Sequence, residues 1–248
     1  MTSKKKTITG DFDFIAPRVV PSFIRGNDAK ALYNEVCKTI KSRIWFDEET
    51  NTMVGSSTFL VARVDSILRP LGIRVATLRD LSRLEIMEMV KNKHYTDTPA
   101  VVLRSMEDSY EQNNAIIKTL APLIEQKNGR LELPVLITGF DVKPSRTKAG
   151  YGLKLVPRED FAVLHDERLS GKYRGERFSE VDEQGLPNFD DRGSRIWYAR
   201  DGLSRLFLDK YLGLGSRYGD GGLAYSNEYG RVVVVRDSTS VGVEEEKK

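Results

Sequence analysis

The sequence predicts an α+β protein, with an N-terminal α/β part in the order β-α-β-α-β and a C-terminal β-rich part. Three observations predict it. Only Gly10, Gly26, Gly55, Gly72 and Gly129 precede residue 139, while the other fifteen of the 20 glycines lie at or after Gly139, where tight turns must be commoner. Between Ile73 and Phe140, short apolar runs alternate with longer segments of helical spacing. Near the C-terminus, Val232 to Val235 form a continuous valine run between Arg231 and Arg236, the pattern of a strand buried on both faces. A chain of 248 residues allows one large or two small domains. The division expected is 1–128 for the α/β part, 129–237 for the β-rich part and 238–248 for a flexible acidic tail. A single continuous core competes with that division.

The elements follow in order. Asn27 to Arg43 places Leu32, Val36 and Ile40 on one stripe, with Asn27 as the cap and basic residues at the end, where the helix dipole favours them. Cys37 lies among those apolar neighbours and reads as a small buried thiol. Ser56 and Ser57 open a second helix, with Leu60, Val64, Ile67 and Leu71 on its apolar face and Gly72 as a left-handed terminator. Ile73 to Ala76 reads as a strand. Thr77 and Asp80 have capping-box spacing before a helix through Leu81, Leu84 and Met87. Ala100 to Leu103 is a strand, Asp108 to Gln126 a helix and Leu133 to Phe140 a strand. That order usually yields parallel strands with right-handed crossovers and invites a nucleotide-site reading. The stretches after the first two strands, Ala76 to Arg79 and Arg104 to Glu107, lack the glycines of a phosphate cradle. In the second part, Leu133 to Val142 and Tyr151 to Val156 form a hairpin, Leu169 to Arg195 a long polar excursion and Ser194 to Arg200 a strand. Asp201 or Gly202 then opens a short helix carrying Leu203, Leu206, Phe207 and Tyr211. Strands, basic loops and aromatics in this order are compatible with a small barrel of OB type, an analogy at fold level.

Composition narrows the chemistry. No run of about 18 apolar residues exists and no apolar segment follows the basic start, so neither a membrane span nor a secretory signal is expected, and a cytoplasmic or intraparticle location is. One cysteine forms no internal disulfide, and two histidines, His94 and His165, assemble no zinc cluster. His165 beside Asp166 has no GxSxG elbow to serve. Asp182, Asp190 and Asp191 match no EF-hand spacing. No cofactor is called.

Net charge is only +3, yet the charges are segregated. Val142 to Arg158 contains Lys143, Arg146, Lys148, Lys154 and Arg158 with no acidic residue. A basic loop between two strands suits phosphate contact, because neutralising a phosphate releases counterions and adds sequence-independent affinity. Tyr151, between Gly150 and Gly152, has room to receive a stacked base. A second basic stretch, Arg192 to Arg217, is opposed only by Asp201 and Asp209. Within it, period-two alternation puts Arg195, Trp197 and Ala199 on one face, an Arg beside an indole, with Arg200 next along. Arg174 belongs to a smaller cluster with Arg168, Lys172 and Arg177. The expectation is a nucleic-acid-binding protein, single-stranded and sequence-independent, using Lys143, Arg146, Lys148, Lys154, Arg174, Arg195 and Arg200 at phosphates and Tyr151 and Trp197 as stacking rings. Two other classes stay open. One is a Mg²⁺-dependent nuclease built on the Asp141-Val142-Lys143 motif, with Asp97 or Asp108 as the second carboxylate. The other is a homo-oligomer or a subunit of a larger assembly, a particle or filament.

Overall fold

The computed structural model describes residues 8, 12, 21–41, 43–170, 175–216 and 222–236. In chain order the strands and helices are β1 (Ser22–Phe23), α1 (Ala29–Val36), β2 (Trp45–Asp47), β3 (Thr52–Val54), α2 (Thr58–Leu68), β4 (Ile73–Val75), α3 (Leu84–Val90), β5 (Thr96–Leu103), α4 (Glu111–Asn128), β6 (Val135–Pro144) and β7 (Leu153–His165). They continue with β8 (Glu176–Val181), β9 (Pro187–Phe189), β10 (Arg195–Tyr198), β11 (Leu203–Leu208), β12 (Leu214–Gly215) and β13 (Val233–Arg236). The fold is mixed α+β.

Eight strands form one sheet in the order β7-β6-β5-β11-β12-β10-β8-β9, and β1-β13-β4 form a smaller one. No closed ring of strands is found among the described residues. The order β4-α3-β5-α4-β6 follows the sequence expectation, but the strands are not parallel. β4 belongs to the three-stranded sheet, and β5 and β6 are antiparallel, with Leu103 opposite Val135. The α4 connection therefore returns to the edge it left, a helical excursion between two hairpin-like strands instead of a crossover. The large sheet also passes through residue 128, since β5 lies between β6 and β11.

α2 is the centre of the packing. Ser57 caps it by accepting a hydrogen bond from the Leu60 amide (3.3 Å). Phe59, Leu60, Val61, Val64 and Leu68 are all fully buried against residues of α4, β5 and β6. Its Asp65, also fully buried, accepts hydrogen bonds from the Val75 amide (2.9 Å), Arg69 (2.7 Å) and Arg158 (2.9 Å), which ties α2 to β4 and β7. Val232 to Val235 are fully buried, and β13 lies between β1 and β4 as a two-sided strand must.

Three local expectations are corrected. The first helix covers only Ala29–Val36, because Lys38 and Thr39 bond three residues back and tighten the chain out of the α-helix. Residues 203–208 form strand β11 where a helix was expected; all six are buried, Ser204 and Arg205 included, and a strand buried on both faces lacks the alternation that would distinguish it from a helical stripe. The excursion after Leu169 contains the β8–β9 hairpin, anchored by fully buried Phe178 and Leu186 and turned by Asp182, whose Oδ1 accepts from Gln184 and Leu186 amides. Among the described residues, no helix is long and apolar enough to cross a membrane.

Candidate nucleic-acid interface

Beyond its pairing with β5, which ends at Thr138, β6 continues with β7 alone as a two-stranded arm whose inner face packs on the core. Its direction is set at Gly139, where the register shifts between Thr138 and Phe140. Gly139 has φ +71°, and a Cβ there would lie 2.2 Å from the Asp160 carbonyl oxygen, so only glycine fits. Beyond the bulge, Val142 pairs with Leu155 and Lys143 with Lys154. Strand alternation sends Val142 and Leu155 inward, where both are buried, and Lys143 and Lys154 outward. The tip is closed by Ser145 N donating to Gly152 O (2.8 Å) and Gly152 N to Lys148 O (3.1 Å). Lys143, Arg146, Lys148 and Lys154 are exposed, and none makes an ion pair or side-chain hydrogen bond among the described residues. Arg158, in contrast, is engaged by Asp65 and Asp160. Burial alone would lower its pKa, but those two carboxylates hold it above the ordinary value.

Tyr151 is at the base of this tip in the left-handed region, φ +64°. Its hydroxyl hydrogen-bonds Asn113 Oδ1 (2.6 Å), its ring meets Phe59 edge-on at 5.3 Å, and its amide donates to Gln112 (2.9 Å). Burial pushes its pKa up to about 12. The ring is a clamp joining the hairpin to α2 and α4.

The remaining expected site residues are elsewhere. Trp197 is fully buried in the core cluster beneath β10. Arg195, 6% exposed, donates to the Leu212 carbonyl (3.0 Å) and Ser82 Oγ (3.0 Å) and lies over the Phe178 ring at 4.8 Å. Burial lowers its pKa to about 10. Arg200, 5% exposed, holds Asp108 through two hydrogen bonds of 2.6 and 3.1 Å. The alternation in 194–200 is as expected, and the Arg–Trp side of the strand faces the interior, so these three residues take no part in the hairpin surface. Arg174 lies outside the described residues.

The nuclease carboxylates each hold an arginine. Asp141 accepts from Arg63 (3.0 Å), Asp97 from Arg205 (2.6 Å) and Asp108 from Arg200. Among the described residues, no three His, Cys, Asp or Glu side chains gather where a metal ion fits.

Sequence reasoning missed a cleft of about 240 Å³ between the end of β11 and residues 225–229. Tyr211, Tyr225 and Tyr229 line it with 69, 50 and 55% exposure, and Lys210 stands over the Tyr211 ring at 5.1 Å. Its floor is Arg205, 1% exposed, clamped by both Asp97 oxygens (2.7 and 2.6 Å) and ringed by Phe207, Tyr95 and Tyr225 at 4.6, 5.3 and 5.7 Å. Tyr95 Oη donates to the Ser56 carbonyl and accepts from the Asn227 amide (both 3.1 Å). Burial pushes its pKa up to about 12. The segment between the two sites touches both. A Cβ at Gly222 would lie 3.8 Å from Tyr151 Oη and 3.9 Å from Tyr225 Cβ. The one sequence signal for the cleft was tyrosine density, with Tyr211, Tyr218, Tyr225 and Tyr229 close together in the chain.

Comparison with family models, with curated proteins and with solved structures finds no match.

Proposed function

We propose that the protein binds single-stranded nucleic acid without reading its sequence, through the phosphates, on the outer face of the β6–β7 hairpin, in the cytoplasm or within a particle. The observation that carries this reading is the direct pairing of Lys143 with Lys154, with Arg146 and Lys148 at the same tip and no carboxylate among the described residues holding any of the four. Like charges opposite one another in a sheet are destabilising, so a bound polyanion relieves a repulsion built into the arm. Four separate ammonium and guanidinium groups suit a phosphate chain, which offers a repeating charge and asks for no fixed geometry. The preference for single strands rests on the exposed tyrosine rings beyond Gly222, which meet bases only where these are unpaired. The arm works on an open strand order and needs no OB-type barrel.

The test is titration of a labelled oligothymidylate at low salt against the protein and against the triple variant Lys143→Glu, Arg146→Glu, Lys148→Glu. Because these side chains are exposed and unpaired, and Lys143→Glu replaces a repulsion across from Lys154 by an attraction, the variant should keep its circular dichroism spectrum and a melting temperature no lower than that of the unaltered protein while binding is lost. Equal binding by the two proteins would reject the hairpin as the site.

A second reading, a subunit of a homo-oligomer or larger assembly, is favoured by β7, which ends the eight-stranded sheet with 13 residues. Strand edges of this length offer backbone groups for pairing with another copy. A solution mass at micromolar concentration separates the two, since a binding module stays a monomer or small oligomer whether or not its cations are present.

A further inference from the structure

We propose that the tyrosine cleft is a base-stacking subsite, in which an unpaired nucleobase lies against Tyr211 and Tyr229 while Lys210 meets an adjoining phosphate; the inference rests on the nucleic-acid reading above. Exposed aromatic residues scattered singly over a surface carry no message. Three tyrosines at least half exposed around one concavity, with a cation beside them, do.

The chemistry left open to a ligand defines its class. Most polar groups in the cleft are already engaged. Asn227 donates through Nδ2 to Tyr225 Oη (2.9 Å) and accepts the Tyr229 amide (3.0 Å). Asp209 Oδ1 accepts the Tyr211 and Gly213 amides (2.7 and 2.9 Å). Arg205 is held by Asp97 and the Tyr225 carbonyl (3.0 Å). What remains among the described residues is the ring faces, the hydroxyls of Tyr211 and Tyr229, the Lys210 ammonium and, deeper in the lining, His94 Nδ1, which is buried without a hydrogen-bond partner. Such a surface stacks any base and neutralises a phosphate but has few groups with which to tell bases apart. That is the division of labour of a sequence-tolerant single-strand site. A volume of about 240 Å³ is below the usual range for drug-sized ligands and suits a single flat group on a longer chain.

Position supports the same occupant. Residues 222–225 run from Tyr151, at the base of the basic hairpin, to Tyr225 at the cleft. A strand anchored by phosphates on the hairpin is therefore led along this segment to the rings. The floor is rigid, because Arg205 is locked between Asp97 and three aromatic rings, so little ordering is needed when a base arrives.

The experiment compares a short oligothymidylate with an abasic oligonucleotide carrying the same number of phosphates. The hairpin does not distinguish them; the cleft does. Base–aromatic stacking predicts that the protein binds the oligothymidylate roughly five- to a hundredfold more tightly. The double variant Tyr211→Ala, Tyr229→Ala should abolish that preference and leave abasic binding and its salt dependence unchanged, whereas Tyr211→Phe with Tyr229→Phe should retain it. Equal affinity for the two oligonucleotides, or a preference that survives the double alanine variant, would overturn the cleft alone. Absence of binding by either strand at low salt would overturn the hairpin reading and the cleft with it. A proline-rich peptide that perturbs the cleft when the oligothymidylate does not would also overturn it, since aromatic grooves receive such peptides too.

Discussion

Asp97 and Arg205 are 108 residues apart in the chain and meet with both side chains inside the protein, 0 and 1% exposed. Removing one partner of such a pair leaves an uncompensated buried charge. Asp97→Asn should therefore destabilise the fold by about 3–5 kcal/mol, seen as a lower urea midpoint, and loosen the floor of the cleft. The hairpin cations have no such partners among the described residues, so their replacement should leave the midpoint nearly unchanged. Titration follows from the same contacts. Burial alone would raise the carboxyls of Asp108 and Asp80, but hydrogen bonds from Arg200 and Asn113, and from Arg74 and Thr77, pull both below the usual range. Their contribution is present above the unfolded-state value of about 3.9 and is lost as pH falls through the lower folded values. Tyr95 and Tyr151 run the other way. With folded pKa values pushed up to about 12 by burial, their contribution is present below about pH 10 and is lost as pH rises through 12. Urea unfolding at a series of pH values should show both losses, and an alkaline midpoint unchanged up to pH 12 would contradict the burial of the two phenols. At this scale the sequence showed which residues carry charge and which alternate. It did not show which side of the alternation faces inward, because the partners that bury Arg195 and Trp197, such as Phe178 and Ser82, come from distant segments.

Among the elements, α2, β13 and the β6–β7 hairpin were legible, each for a local reason: a capping serine, a valine run and two apolar strands with a glycine-rich link between them. Strand direction was not. An apolar strand, a helix and another apolar strand read alike whether the chain crosses over or returns, and here β5 and β6 are antiparallel. β11 was hidden because burial on both faces removes the alternation that marks a strand. These pairings bear on autonomy. The neighbours of β5 are β6 and β11, and the neighbour of β4 is β13, all contributed by residues after 128. A fragment ending at Asn128 should accordingly fail to fold, with a collapsed amide NMR spectrum and no cooperative unfolding. A well-dispersed spectrum from that fragment would show that the first part stands alone.

Over the whole molecule, 39 basic and 36 acidic residues nearly cancel. The fold turns that near-neutral total into contrast. Arg63, Arg158, Arg200 and Arg205 are matched to carboxylates inside or beside the core, while Lys143, Arg146, Lys148 and Lys154 remain exposed together on one hairpin. Two basic stretches were visible in the sequence; one became surface and the other largely interior, a sorting that only the sheet order decides. The salt dependence of oligonucleotide binding tests the central claim most directly. With the four hairpin contacts and the Lys210 contact at about 0.7 each for a single strand, a plot of log affinity against log salt concentration should have a slope of roughly −3 to −4, falling to roughly −1 to −1.5 in the Lys143→Glu, Arg146→Glu, Lys148→Glu variant where any binding survives. A slope near zero for the unaltered protein, or one that the variant leaves unchanged, would contradict the account.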